Sequence, residues 1–237
     1  MRLKLIACEV LLRELCHAIA RSPHQVDSEF LPKGLHDLGG TPMAARIQQQ
    51  IDAVDPTRYD AIALGYALCG NGLHGIQART LPLILPRAHD CIALLMGSRD
   101  RYQQYFDANP GVYFRSTGWL ERGQSLEQVN PFSQSLEFLI EKYGEDNGRY
   151  LYEEFHSYRR SYGRLTLIET GLEATPAFED QARREASEKS WEFSKLTGSL
   201  AWFEALLSGV WDPDLFLTVP PGAQTRASFT EQVVTLL

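Results

Sequence analysis

Short apolar runs alternate with segments of helical hydrophobic spacing from the first residues onward, and this alternation constrains the fold more than any other feature of the chain. Residues 3–8 suit a buried strand, and residues 9–21 then place Val10, Leu11, Leu12, Leu15, Ala18 and Ile19 on one helical face. Residues 26–32 read as a second strand, ended by Pro32 and Gly34. After Gly39-Gly40, Thr41 as N-cap and Pro42 at the first helical position predict a helix that carries Met43, Ala44, Ile47, Ile51 and Val54 and stops before Pro56. Residues 60–67 and 81–85 read as third and fourth strands, and a helix is expected from Cys91 to Tyr105. Strands separated by helices are the pattern of a parallel sheet with right-handed crossovers.

A second run of the same kind follows. Residues 112–115 suit a short strand, Gly118-Trp119 reads as irregular, and residues 132–143 and 146–161 look helical. Strands at 164–169, 191–196 and 215–219 then alternate with helices at 176–189 and 200–207. The expected fold is therefore α/β, a largely parallel Rossmann-like sheet with helices on both faces. A chain of 237 residues suits one α/β domain, 1–237; a division into two lobes, 1–123 and 124–237, stays open, as does whether both runs share one sheet.

Chemistry-bearing residues recur just after the strands. Cys8 follows the first, Cys69-Gly70-Asn71-Gly72 the third, and His89-Asp90-Cys91 the fourth. In a sheet ordered 2-1-3-4, Cys8 and Cys69 sit side by side at the carboxyl edge, where open α/β sheets place their ligands, with residues 89–91 one strand further on. Cys8, Cys69, His89 and Cys91 make a tetrahedral donor set suited to zinc or another transition metal. Glu9 and Asp90 are the candidate acid–base groups. The glycines of the 69–72 turn permit close approach of a ligand, making Gly70, Asn71 and Gly72 candidates for cofactor binding, and a following helix N-terminus would favour the Cys69 thiolate. Tyr113 and Trp119, with Ser116, are placed to wall one cleft shared with residues 89–91.

Plainer readings stand beside these. Cys69 is equally a buried cysteine at a glycine turn. Asp90 caps the next helix while His89 and Cys91 pack, and Glu9 only complements a helix dipole. His36 follows the second strand, on the outer side of the first and so further from the cluster, and Cys16 belongs to the core of the first helix.

Composition removes several function classes. The net charge of −7 argues against nucleic-acid or anionic-membrane surfaces. No apolar run approaches the ~20 residues of a membrane span, and the early apolar stretch is broken by Glu9, Arg13 and Glu14. A cytoplasmic protein is expected, in which the four cysteines are thiols or metal ligands rather than disulfides. There is no Gly-x-Gly-x-x-Gly after the first strand, no Walker sequence and no Gly-x-Ser-x-Gly elbow.

Cys69-Gly70-Asn71-Gly72, Arg87-Ala88-His89-Asp90-Cys91-Ile92, Leu95-Met96-Gly97-Ser98, Pro110-Gly111-Val112-Tyr113 and Gly118-Trp119 occur in an order that resembles the family catalogued as domain of unknown function 1638. Leu196–Leu200, Leu207–Trp211 and Val219–Gly222 fit it too, so the resemblance covers nearly the whole chain. It implies an association with corrinoid-dependent methyltransferase systems. His89-x-Cys91 is similar to the start of the His-x-Cys…Cys zinc motif of corrinoid-linked thiol methyltransferases, where zinc makes a thiol nucleophilic. That motif's last cysteine lies downstream, and none follows Cys91 here, so Cys8 or Cys69 would have to replace it.

The expectation is a metal–thiolate protein, zinc its first candidate metal, that activates a small-molecule nucleophile for methyl or sulfur transfer linked to corrinoid metabolism. The alternatives are a non-catalytic accessory protein that binds a corrinoid or other small ligand, and a structural zinc domain. A small-molecule ligand and a corrinoid protein are the expected partners, and nucleic acid and membrane are not.

Overall fold

The computed structural model describes residues 1–122, 135–156 and 161–237. The central sheet contains β1 (Arg2–Cys8), β2 (Gln25–Leu31), β3 (Ala61–Gly65), β4 (Leu83–Pro86) and β8 (Phe216–Val219), in the order β2-β1-β3-β4-β8. The first four strands pair in parallel, and β8 returns antiparallel to β4. All of β3 and β4 and most of β1 are buried, which explains why these runs are apolar without alternation. The crossovers are α1 (Leu12–Arg21) and α2 (Gly40–Asp52). Because the chain leaves β1 for β2 on one side and returns to β3 on the other, the switch point lies at the carboxyl ends of β1 and β3.

The second α/β run builds a separate parallel sheet of β5 (Val112–Ser116), β6 (Arg164–Glu169) and β7 (Glu192–Thr197), in sequence order. The boundary expected at 123/124 lies outside the described residues. The carboxyl end of this sheet abuts that of the first. Thr170 Oγ1, just past β6, donates to Glu14 Oε1 of α1 at 2.9 Å. The amide of Ser199, just past β7, donates to the Leu95 carbonyl at 2.8 Å. Past β5, Gly118 packs so tightly on Val10 that a Cβ there would fall 2.6 Å from the Val10 carbonyl carbon.

Several local expectations need correction. The helix expected from Cys91 to Tyr105 is two helices, α3 (Cys91–Met96) and α4 (Arg99–Ala108). Gly97, at φ +77°, ends the first in the left-handed region, and the Ser98 hydroxyl caps the second by accepting from the Arg101 amide at 3.3 Å. Gly118-Trp119 is not irregular but lies in α5 (Thr117–Arg122). Thr41 does not cap α2, which begins at Gly40, two residues before Pro42, after Gly39 at φ +85° with no side-chain cap. Residues 9–11 form a 3-10 turn ahead of α1, and Cys16 is exposed rather than core. Past β8, the short strands β9 (Thr225–Ala227) and β10 (Val234–Leu236) form an antiparallel pair that the sequence reading lacks.

Candidate ligand cavity and thiol cluster

A cavity of about 540 Å³ opens where the two sheets face each other. From the first sheet's side it is lined by His36, Cys69, Asp90, Cys91 and Ile92. From the second it is lined by Tyr102 and Phe106 of α4, residues 111–115, Trp119, Ser161 and Tyr162. One cleft thus joins Asp90 and Cys91 with the segment after Pro110. Ser116 is buried and is not part of the wall.

The thiols form its floor. Cys8 lies behind the wall, 2% exposed, with its Sγ 3.4 Å from Nε2 of His36. Cys91 is 6% exposed and accepts the indole N–H of Trp119 at 3.3 Å. Cys69 is half-buried and holds φ +42°, a backbone region unfavourable to a residue with a Cβ. Its amide donates to the His89 carbonyl at 2.8 Å, which ties the end of β3 to the end of β4. All three cysteines are free. Burial pushes each thiol up, Cys8 to about 12, and the charge of a neighbouring cysteine adds to the shift in every case: Cys91 on Cys8, Cys8 on Cys69, Cys69 on Cys91. The groups are therefore protonated thiols at neutral pH. The sequence reading of Cys69 as a favoured thiolate does not survive. Turns rather than a helix follow it, and the Gly72 amide is taken by the Leu68 carbonyl at 2.8 Å, so burial dominates. Burial also lowers His36, leaving its imidazole neutral.

The remaining candidates divide. Asp90 caps α3, accepting from the Ala93 amide at 3.0 Å, and its other oxygen accepts from the Tyr102 hydroxyl at 2.9 Å, so one carboxylate both starts the helix and lines the cavity. Burial and that carboxylate push the Tyr102 hydroxyl up. Tyr113 and Trp119 are wall residues. Glu9 is turned away: Oε1 accepts from the Lys33 amide at 2.8 Å and Oε2 pairs with Arg122 at 3.5 Å. It is a tie between β1, the 33–38 turn and α5. Gly70 and Asn71 are exposed, while Gly72 packs against Met43; none lines the cavity. The His89 side chain is exposed and outside the wall, whereas His36 is in it. The 3-10 turn Lys33–Leu38 brings His36 there, folding from the edge strand back over the end of β1. Among the described residues, no three His, Cys, Asp or Glu side chains already stand around a common ion position.

The cavity thus lies at the switch point of the first sheet and is walled on its far side by the second α/β lobe. The chain matches, over residues 30–207, the family model described as "Protein of unknown function (DUF1638)", and it belongs to that family. Neither the curated proteins nor the solved structures contain a match. Among the described residues, no helix is long and apolar enough to cross a membrane.

Proposed function

We propose that the protein binds a small organic molecule in the cavity between its two sheets and presents it to the thiols of Cys69 and Cys91. The observation that carries this reading is the cavity itself. It joins the carboxyl end of the first sheet to the edge strand β5 of the second, and its volume of about 540 Å³ falls in the range of drug-sized ligand sites, ~300–1,000 Å³. Rings of Tyr102, Phe106, Tyr113, Phe114, Trp119 and Tyr162 supply an apolar body, and Asp90, bonded to the Tyr102 hydroxyl, adds a carboxylate beside them. Arg115 also reaches the wall, but Glu185 holds its guanidinium through two bonds of 2.9 and 2.7 Å, so it brings little free charge. Such a site suits a ligand with a flat or apolar body and a donor that meets Asp90. A complete corrinoid is too bulky for this volume; a corrinoid linkage requires that the cofactor stay on a partner protein. Methyl or sulfur transfer at the thiol floor is the chemistry the reading favours.

A small-metabolite screen by thermal shift tests this, followed by titration of the hits into wild type and Trp119→Ala. The expected result is at least one ligand whose affinity falls roughly tenfold or more in the variant, as loss of a large aromatic contact implies. Hits that bind Trp119→Ala and wild type alike, or compete with nothing at the cavity, overturn it.

A further inference from the structure

We propose that Cys8, His36, Cys69 and Cys91 together hold one soft divalent cation of the zinc class at the floor of the cavity. It shares the cavity of the reading above and adds the group that would activate a ligand there.

Half of the site is already set. Ligands at ~2.3 Å for sulfur and ~2.0–2.1 Å for nitrogen, separated by the tetrahedral angle, lie ~3.5 Å apart. Cys8 Sγ and His36 Nε2 are 3.4 Å apart. Among the described residues no three such donors stand around one ion position, so Cys69 and Cys91, which share the cavity wall with His36, complete the set by turning their side chains toward that pair. Three thiolates and an imidazole select a thiophilic metal over magnesium or calcium.

Three independent features point to a missing guest. The Tyr66 hydroxyl is 1% exposed and has no hydrogen-bond partner, and the charges that act on it are those of Cys8, Cys69 and Glu9. An orphaned buried hydroxyl is costly, and a metal-bound thiolate beside it would accept its hydrogen bond. Cys69 keeps a left-handed backbone where glycine would be easier, a strain that points to a use for its side chain. The Trp119 indole N–H on Cys91 is the kind of outer bond that steadies a metal thiolate. On binding, each thiol releases its proton to solvent, and the net charge of three thiolates and a divalent ion is one negative. Lys33, whose ammonium lies 5.3 Å from the Trp119 ring centre and 3.7 Å from Asp37, acts on Cys8 and offsets part of it.

Cobalt(II) is the probe. Untagged protein is stripped with chelator under reducing conditions and titrated with cobalt(II), then back-titrated with zinc. The expected result is one equivalent of tetrahedral cobalt with thiolate charge-transfer absorption, displaced by zinc. Cys69→Ser and His36→Gln should each weaken binding roughly tenfold or more. His89→Gln and Cys16→Ser should stay within about twofold of wild type. Circular dichroism shows that the variants are folded; should Cys8→Ser fail to fold, Cys69→Ser and His36→Gln decide. Folded wild type with no charge-transfer band overturns the proposal, as does His89→Gln matching His36→Gln. No organic ligand is present in this titration, so its failure leaves the cavity reading standing, and failure of the metabolite screen leaves the metal site standing.

Discussion

Gly118 is the position where a single methyl group should do most damage. A Cβ there would fall far inside contact distance of the Val10 carbonyl oxygen and lie 2.6 Å from its carbon and 3.0 Å from its Cα. All three atoms are backbone, so no flexible side chain can yield. Restoring the ~3.5 Å of an ordinary carbon–carbon contact requires α5 to retreat roughly 1 Å from the end of β1. That movement also draws the Trp119 indole, now 3.3 Å from the Cys91 sulfur, out of hydrogen-bond range. Overpacking costs ~1–3 kcal/mol where side chains can adjust, so Gly118→Ala should cost at least about 3 kcal/mol. With a urea slope of ~3 kcal/mol/M, the unfolding midpoint falls by about 1 M or more. Gly163→Ala is the control, because open space surrounds its Cβ and its φ is ordinary; a change within ~0.5 kcal/mol is expected there. A thiol reagent should also reach Cys91 faster in Gly118→Ala. A variant with the wild-type midpoint and unchanged Cys91 reactivity would refute the claim that this contact sets the spacing of the lobes.

Two further outcomes follow from the carboxylates of Glu14 and Glu9. Glu14 is 2% exposed, with one oxygen on Thr170 and the other unpartnered, and burial raises its pKa above the ordinary 4.5. A raised pKa means that its contribution to stability is whole below pH 4.5 and is lost as pH rises through the folded value, so the gain in urea midpoint of Glu14→Gln over wild type should grow from pH 4 to pH 7; a constant difference would sink the assignment. Glu9→Ala should cost about 1–3 kcal/mol and speed alkylation of Cys8 by freeing the Lys33 amide, whereas Glu9→Gln, which keeps that acceptor and loses only the Arg122 ion pair, should cost under about 1 kcal/mol; equal costs by denaturant titration would mean that the ion pair, not the amide bond, holds the 33–38 turn.

The strand order at the switch point was legible because it follows from burial and connection rules: β3 is apolar on both faces, β1 is so from Leu5 onward, and helical crossovers leave little choice of hand. Cys8, Cys69 and Cys91 could be placed at one edge for the same reason. Which imidazole faces them could not. His36 and His89 both follow strands, but the direction of His36 depends on the Glu9 carboxylate holding the Lys33 amide, a contact 24 residues apart in sequence. Gly97-Ser98 was a readable stop and start within the 91–105 segment, and the apolar spacing that runs across it concealed the break. α5 was hidden because Gly118 argues against a helix by propensity, while its close approach to Val10 demands glycine whatever the propensity. The second sheet was hidden because nothing local in β5, β6 or β7 says whether they pair with β4 or with one another.

The cavity exists only while two independently paired sheets stay in place, held by apolar packing of Ile168, Phe114, Trp119 and Leu196 on the first lobe's core and by polar ties that include the Arg13–Glu121 ion pair. Glu14 to Thr170, Ser199 to Leu95 and Gly118 on Val10 each join the lobes directly, and Glu9 to Arg122 anchors α5, which carries Trp119, to the end of β1. Trp119 is the convergence of these ties: it stands in the wall, its indole bonds Cys91 from the first lobe, its ring lies 5.9 Å from that of His36, and its helix starts where the second sheet ends. A ligand that bridges the two walls therefore binds the assembled lobes and not the unfolded chain, and must raise the stability of the inter-lobe contacts by mass action. The same physics makes substitutions at Gly118 and Glu9 lower affinity without touching the ligand, because they change the distance between the walls rather than the walls themselves.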